Sequence, residues 1–438
     1  MRRFLDRLFE PRDIRPLAFL RIAFGLIILA DFAGHVVTGE VQSDYISPSF
    51  HFKYYGFEWV EPWGAPGMYL HFYLVSAVAL SVALGLFYRA SAVLLFLGVT
   101  YVFLLEQAEY LNHYYLVCIL CFLFILLPAH RALSLDAIRK PSIRSETAPA
   151  WTLLLLRTQL SIVYIYAGIA KLNPDWLRGE PMRSWLAGRS DVPVIGPLLE
   201  TEWAPYFFSY GGLLLDLFVV PLLVMRRTRI FGFVLAIFFH LTNAAVFEIG
   251  IFPWLMIAAT LLLFSSDDVP ESIARRAAPP PTARRRRLVL GFLGVFLALQ
   301  LLVPLRHFLY PGDVSWTEEG HRFSWRMKLR GKAGSARFTV SDPDSGKRWD
   351  VVPSNYLTAR QVRKMAGHPD MILQFAHHLA DVYRKQGYPR IQVRARVDAS
   401  LNGRRPQPLV DPDVDLAAEP RNLLPARWIV PLREPLGR

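Results

Sequence analysis

Cysteine is nearly absent from this sequence: Cys118 and Cys121 are the only two in 438 residues. A domain facing an oxidising compartment therefore cannot rest on a disulfide framework. Three residues apart on a helix, the two thiols share a face, as a redox pair would. Enzymes that exchange electrons between thiols and quinones also need a second dithiol, and the sequence holds none. Two inert buried thiols are the plainer reading. Walker-type phosphate loops, HExxH and GxSxG are missing too, which removes the commonest nucleotide, zinc-protease and serine-hydrolase chemistries. His377 and His378 are adjacent and project differently from a helix, so no metal is expected. No small-residue cleavage site follows the arginines of the N-terminal segment. The first apolar stretch therefore reads as a retained helix, not a removed signal.

Apolar residues are what the chain has in abundance, at 53%. Apolar stretches near 16–37, 68–87, 90–109, 114–128, 151–170, 206–225, 230–246, 250–264 and 288–309 read as membrane helices. Several are shorter than the ~20 residues of a full crossing. The expected fold is mainly α: a polytopic membrane bundle of about nine helices over residues 1–310. A small soluble α+β domain follows over 311–438. There, strands are expected at 336–340 and 347–352 around a Pro/Asp/Gly turn, helices at 358–366 and 369–386, and a strand at 390–397. No internal repeat is visible.

The net charge of +13 suggests nucleic acid until it is located. Much of it lies in short loops: the N-terminal segment, 131–144, 226–229 and 275–287. By the positive-inside rule these loops are cytoplasmic, and the loop 38–67, with one lysine and several acids, is not. The run Arg284–Arg287 is then a topology signal, and no nucleic-acid partner is expected. A Pro-rich segment at 277–283 reads as a linker. An odd number of spans puts the N-terminus in the cytoplasm and the C-terminal domain outside it. That domain carries 22 Lys and Arg against 14 Asp and Glu, a surface suited to acidic peptides or anionic headgroups.

Candidate chemistry concentrates in the stretch AGIAKLNPDW, residues 167–176. Lys171 follows a long apolar run, and Asn173, Pro174 and Asp175 stop the helix. An ammonium at a membrane boundary ordinarily snorkels to the headgroups; this dense polar-aromatic setting makes Lys171 a candidate base instead. Desolvation favours the neutral amine, the helix C-terminus favours the cation, and the sequence leaves that balance open. His113, with Asn112 and Tyr114, lies at the same end of the fourth stretch. Asp216 and His240 are each about ten residues into their helices, near the midplane and at similar depth. Asn243 shares the face of His240. The alternative for these is a structural Asp–His or Asp–Asn bond holding the bundle together.

Five segments in one order resemble the membrane domain of the vitamin K-dependent gamma-glutamyl carboxylases, the HTTM domain, in a short bacterial-type form. They are LNHYY (111–115), AGIAKLNPDW, GGLLLDL (211–217), FFHLTN (238–243) with IGIF (249–252), and HFLYPGDVSWTEEGHRFSW (307–325). The resemblance implies a membrane enzyme of carbon–carbon lyase type, in a bacterial inner membrane. Its co-substrates would be vitamin K hydroquinone or menaquinol, O2 and CO2. A lysine deprotonates the quinol, oxygenation to the epoxide generates a strong base, and that base takes a γ-proton from a peptide glutamate, which then adds CO2. The family's base lysine falls on Lys171, its helix-boundary histidine on His113 and its later membrane histidine on His240. Quinol- or substrate-binding roles fall to Asn112, Tyr114, Asp216, Asn243, His307, Trp316, His321, Ser324 and Trp325. His321 stands where the animal pattern has a tyrosine, and the segment after the last span is shorter than in the animal enzymes. A non-catalytic module binding lipid or a partner, and a thiol–quinone oxidoreductase, are the other functions compatible with the chain.

Overall fold

The computed structural model describes residues 2–193, 195–247, 249–264 and 281–436. Among the described residues, nine long apolar helices build the bundle. They are α1 (Arg15–Thr38), α2 (Ala65–Leu84), α3 (Tyr88–Leu105), α4 (Asn112–Leu126), α5 (Ala150–Ala170), α6 (Ala204–Val224), α7 (Arg229–Val246), α8 (Phe252–Phe264) and α9 (Ala283–Leu302). Seven are long and apolar enough to cross a membrane; α4 and α8, with 15 and 13 residues, are shorter. The expected segments thus all form helices, and the protein is an integral membrane protein. Residues 277–280 of the expected Pro-rich linker lie outside the described residues.

Consecutive helices pack as neighbours through α1–α2–α3–α4 and again through α5–α6–α7–α8. The two halves meet where α8 packs on α1, and α9 lies against α5. Large apolar side chains such as Leu94, Phe231 and Val234 point outward, as a lipid-facing surface requires. At the end of the bundle far from the C-terminal domain, Pro11–Asp13 pairs with Thr147–Pro149 as a short antiparallel ribbon.

One arginine ties that end together. Arg21 on α1 is fully buried. Its guanidinium donates to the carbonyls of Ala129 at 2.9 Å, Ala83 at 3.2 Å and Leu133 at 2.5 Å. Helix C-termini and the turns after them leave carbonyls without partners, and a guanidinium carries enough donors to serve several at once. Gly85, which ends α2 at φ +63°, is required beside it: a Cβ there would lie 2.6 Å from Arg21 Nη1.

The C-terminal unit is a four-stranded antiparallel sheet, β1 (Lys332–Ser341), β2 (Arg348–Val351), β3 (Gln392–Leu401) and β4 (Gln407–Pro408), in the order β2–β1–β3–β4. Phe338 pairs with Ala395 and Val340 with Val393, so the alternating apolar face is continuous across the two long strands. Two helices cover it, α10 (Ala359–Met365) and α11 (Pro369–Lys385). Both β1 and β3 run longer than the sequence pattern suggests, because each satisfies the other's backbone along ten residues. The core of this unit also takes in Phe52 and Ala108 from loops of the membrane bundle. Beside them Glu106, almost fully buried, accepts from His51 Nδ1 at 3.2 Å, Gln361 Nε2 at 2.8 Å and the backbone N–H of Ala108 at 2.8 Å.

Arg21→Leu leaves the carbonyls of Ala83, Ala129 and Leu133 without that donor in a dry site, at a cost of about 2–5 kcal/mol. Its thermal unfolding in detergent should therefore shift down by several degrees; an unchanged midpoint would show that other donors reach these carbonyls.

Candidate active site

Counting residues along the chain places Lys171 at a helix boundary and Asp216 near the midplane, and does not pair them. The packing corrects this. The last turn of α5 is set deep against α6: a Cβ on Gly168 would lie 2.7 Å from Leu217 Cδ2, and one on Gly212 would lie 3.8 Å from Lys171 Cε. So α6 begins about two turns beyond the end of α5, and Lys171 lies well below the rim of the bundle. Its Nζ donates to Asp216 Oδ2 at 2.6 Å, and both side chains are less than a tenth exposed. The same nitrogen lies 3.3 Å from the Ala167 carbonyl and 5.3 Å from the centre of the Trp176 ring. Trp176 is fixed by its indole N–H on the Ser209 carbonyl at 2.7 Å, and Asn173 caps the turn that carries it.

His240 is not the partner of Asp216. Its Nε2 meets the Tyr164 hydroxyl at 2.8 Å, and Tyr164 lies 3.4 Å from Thr260 Oγ1. The other nitrogen, Nδ1, is buried without a hydrogen-bond partner. A buried, unmatched imidazole nitrogen is costly unless a ligand or water meets it. His113 is buried and stacks on Phe252 at 5.8 Å. Tyr114 donates to both oxygens of Asp31, at 3.1 and 2.9 Å, and Asn112 accepts from Tyr110 at 3.0 Å.

These groups line one cavity of about 1270 Å³. Lys171, Asp216, His113, His240 and Asn243 lie at its membrane end, with Trp176, Phe238, Phe239 and Phe252 as apolar walls. At its other end lie Glu318, His321, Arg322, Arg326, Arg330 and Lys332. Ligand pockets are typically ~300–1,000 Å³, so this volume is large enough for a small-molecule ligand.

The second end is a charge cluster around one buried carboxylate. Arg330 donates to Glu318 from Nε at 2.6 Å and from Nη2 at 2.5 Å. Lys332 lies 3.6 Å and His368 3.9 Å from the same group. Burial pushes Glu318 towards its neutral form, but Arg330, His368 and Lys332 outweigh it and hold its carboxyl well below the usual range. His321 Nε2 accepts from Arg330 Nη1 at 2.7 Å, and burial with that guanidinium keeps it well below an ordinary histidine. Burial lowers Lys332 to about 8, against the opposing pull of Glu318. With Arg322 and Arg326 added, this end of the cavity has an excess of positive charge.

Four residues of the 307–325 segment do other work. His307, Trp316, Ser324 and Trp325 do not line the cavity. Trp316 donates its indole N–H to the Val430 carbonyl at 2.7 Å and lies under Lys332 Nζ at 5.1 Å. Ser324 bonds the His321 carbonyl, Trp325 packs on Tyr115 at 4.9 Å, and His307 meets the Pro304 carbonyl at 2.9 Å. They brace the loop that presents Glu318 and His321. Sequence reading did not single out Tyr164 or Arg330. A tyrosine in an apolar run reads as core, and an arginine in a basic tail reads as surface.

The fold and the cavity define a polytopic membrane protein whose bundle and outer unit share one ligand-sized chamber. Residues 9–268 match the HTTM domain, and residues 285–435 match the lumenal domain of vitamin K-dependent gamma-carboxylase. The chain belongs to the vitamin K-dependent gamma-carboxylase family. No solved structure matches it.

Removing one member of a buried pair strands the other, at about 3–5 kcal/mol, while apolar replacement of both is near neutral. Asp216→Leu alone should therefore unfold at markedly lower temperature, and Lys171→Met with Asp216→Leu should recover most of the loss. A double variant as unstable as the single one would refute the pairing as the cause.

Proposed function

We propose that this protein oxidises a quinol, vitamin K hydroquinone or menaquinol, with O2 to its epoxide and couples that oxidation to carboxylation of a glutamate side chain. The observation that carries the reading is the Lys171–Asp216 pair at one end of a chamber whose other end is a cluster of cations. In sum, quinol, O2, CO2 and the glutamate C–H give epoxide, water and a second carboxyl group. No side chain is basic enough to take the γ-proton itself; the bound quinol, on oxygenation, supplies that base.

The protein's own residues prepare each step. A proton moved along the Lys171–Asp216 hydrogen bond leaves a neutral amine and a neutral acid, with no net charge to bury. The amine then accepts the quinol's hydroxyl proton. His240, through its unmatched Nδ1, and His113 serve the same end, with Asn112, Tyr114 and Asn243 as further quinol contacts. The apolar walls fit a naphthalene ring and keep water from the carbanion. Arg322, Arg326 and Lys332 attract the acceptor's carboxylate, and His321 and Glu318 fix the guanidinium between them. His307, Trp316, Ser324 and Trp325 hold that loop in place. No metal is required by this scheme. The thiols Cys118 and Cys121 do not line the cavity, which weighs against a thiol–quinone exchange. We place the chain in a bacterial inner membrane, N-terminus in the cytoplasm and C-terminal domain outside, with residues 1–310 and 311–438 as its two domains. A glutamate-containing peptide or protein is its partner.

Purified protein in nanodiscs should convert vitamin K hydroquinone or menaquinol to epoxide, and Lys171→Ala should lose that activity while remaining folded. Epoxide from the alanine variant would remove Lys171 as the base; none from the wild type on either quinol would favour a lipid- or partner-binding module. As pH rises through about 8, Lys332 loses its proton and the chamber loses a positive charge. KM for an acidic acceptor peptide should climb above that pH, and Lys332→Arg, which keeps the charge, should flatten the climb. A climb that survives in Lys332→Arg assigns it to another group.

A further inference from the structure

Lys171 and the Glu318 cluster, at the two ends of the chamber, lie more than a hundred residues apart in the chain, and one buried amide bridges the segments that support them. Asn402 follows β3 in a left-handed turn, at φ +51°, and is buried. Its Nδ2 donates to Asp175 Oδ2 at 2.8 Å, while its Oδ1 accepts from the Gly331 backbone N–H at 2.8 Å. Asp175 sits in the turn that carries Trp176 against Lys171. Gly331 sits between Arg330 and Lys332, the two cations of the Glu318 cluster. Arg404 holds Asp175 from the same hairpin in a bidentate pair, at 2.6 and 2.7 Å. The amide thus has one hand on the support of the base and one on the backbone of the anion cluster.

We propose that Asn402 is a positioning residue that fixes the distance between the quinol end and the acceptor end of the chamber, and so couples oxidation to carboxylation. This rests on the function proposed above. A short-lived base must meet the acceptor's C–H before water does, so an error of about 1 Å between the ends costs carboxylation heavily. The same error leaves epoxide formation intact, since Lys171 and Asp216 stay together on α5 and α6. Asparagine suits the site because it tolerates the left-handed backbone and offers a donor and an acceptor on one planar group.

Asn402→Gly keeps that backbone conformation, and the backbone bond from residue 402 to Gly331 O at 2.8 Å, and deletes only the bridge. In nanodiscs with an acidic acceptor peptide, epoxide formation should stay near wild type while carboxylation per epoxide falls by about tenfold. Asn402→Asp, which keeps the Gly331 contact and repels Asp175, should do the same. An unchanged ratio in both variants, or equal loss of both products, overturns the inference. Hydrogen exchange supplies a readout independent of turnover. Faster exchange in Asn402→Gly at both 173–177 and 329–333 supports the bridge, and a change confined to 329–333 overturns it. A wild type that forms no epoxide defeats the functional reading instead, and the exchange result still decides whether Asn402 links the two ends.

Discussion

An ammonium and a carboxylate 2.6 Å apart inside a membrane bundle constrain everything around them. Neither ion can be buried alone, and together they are tolerable only if held in contact and shielded from lipid. The end of α5 must therefore lie deep, where α6 presents Asp216. A small residue makes that possible: Gly168 lets the helices approach where a Cβ would lie 2.7 Å from Leu217 Cδ2. The segment that follows Lys171 has to climb back out, and it does so through a short capped turn, Asn173 to Trp176, that folds an indole over the cation.

From that point the chamber follows. Its membrane end is lined from α1 to α8, and its other end by the loop after α9, the start of the first strand of the C-terminal sheet and α10. The two ends differ in character. At the first, a single ion pair sits among aromatic rings. At the second, one carboxylate is outnumbered by cations, so the local field is positive and the histidines are held neutral. A hydrophobic ring system and a negatively charged side chain each find a matching end.

Much of this was legible in the sequence, and the limits have physical causes. Apolar runs located all nine helices, because a membrane demands a length and a polarity that show in one dimension. Lys171 stood out because a lysine followed by Asn-Pro-Asp-Trp is not how an ordinary anchor is written. Asp216 stood out as well, though not as its partner: depth counted from helix ends assumes that helices start level, and α6 starts about two turns beyond the end of α5. His240 was found, yet its partner Tyr164 was hidden in the apolar pattern of α5. Arg330 meets Glu318 and His321 within one irregular loop, where no helical or strand spacing marks a pair, and the contacts of Asn402 are made across long chain separations, where local spacing carries no signal.

The core of the C-terminal unit includes Phe52 and Ala108, and its helices bond loop backbone at Phe50 and Lys53, through Gln361 and Gln374. These loops leave the ribosome several hundred residues before the strands that will cover them. Until the last part of the chain arrives, Phe52 is exposed and Glu106 lacks Gln361, so the early half waits unfinished on its outer face. A chain cut short before the sheet would keep that apolar patch uncovered, which marks it for recognition by quality-control machinery. Assembly of the protein is thus committed only at its final strands.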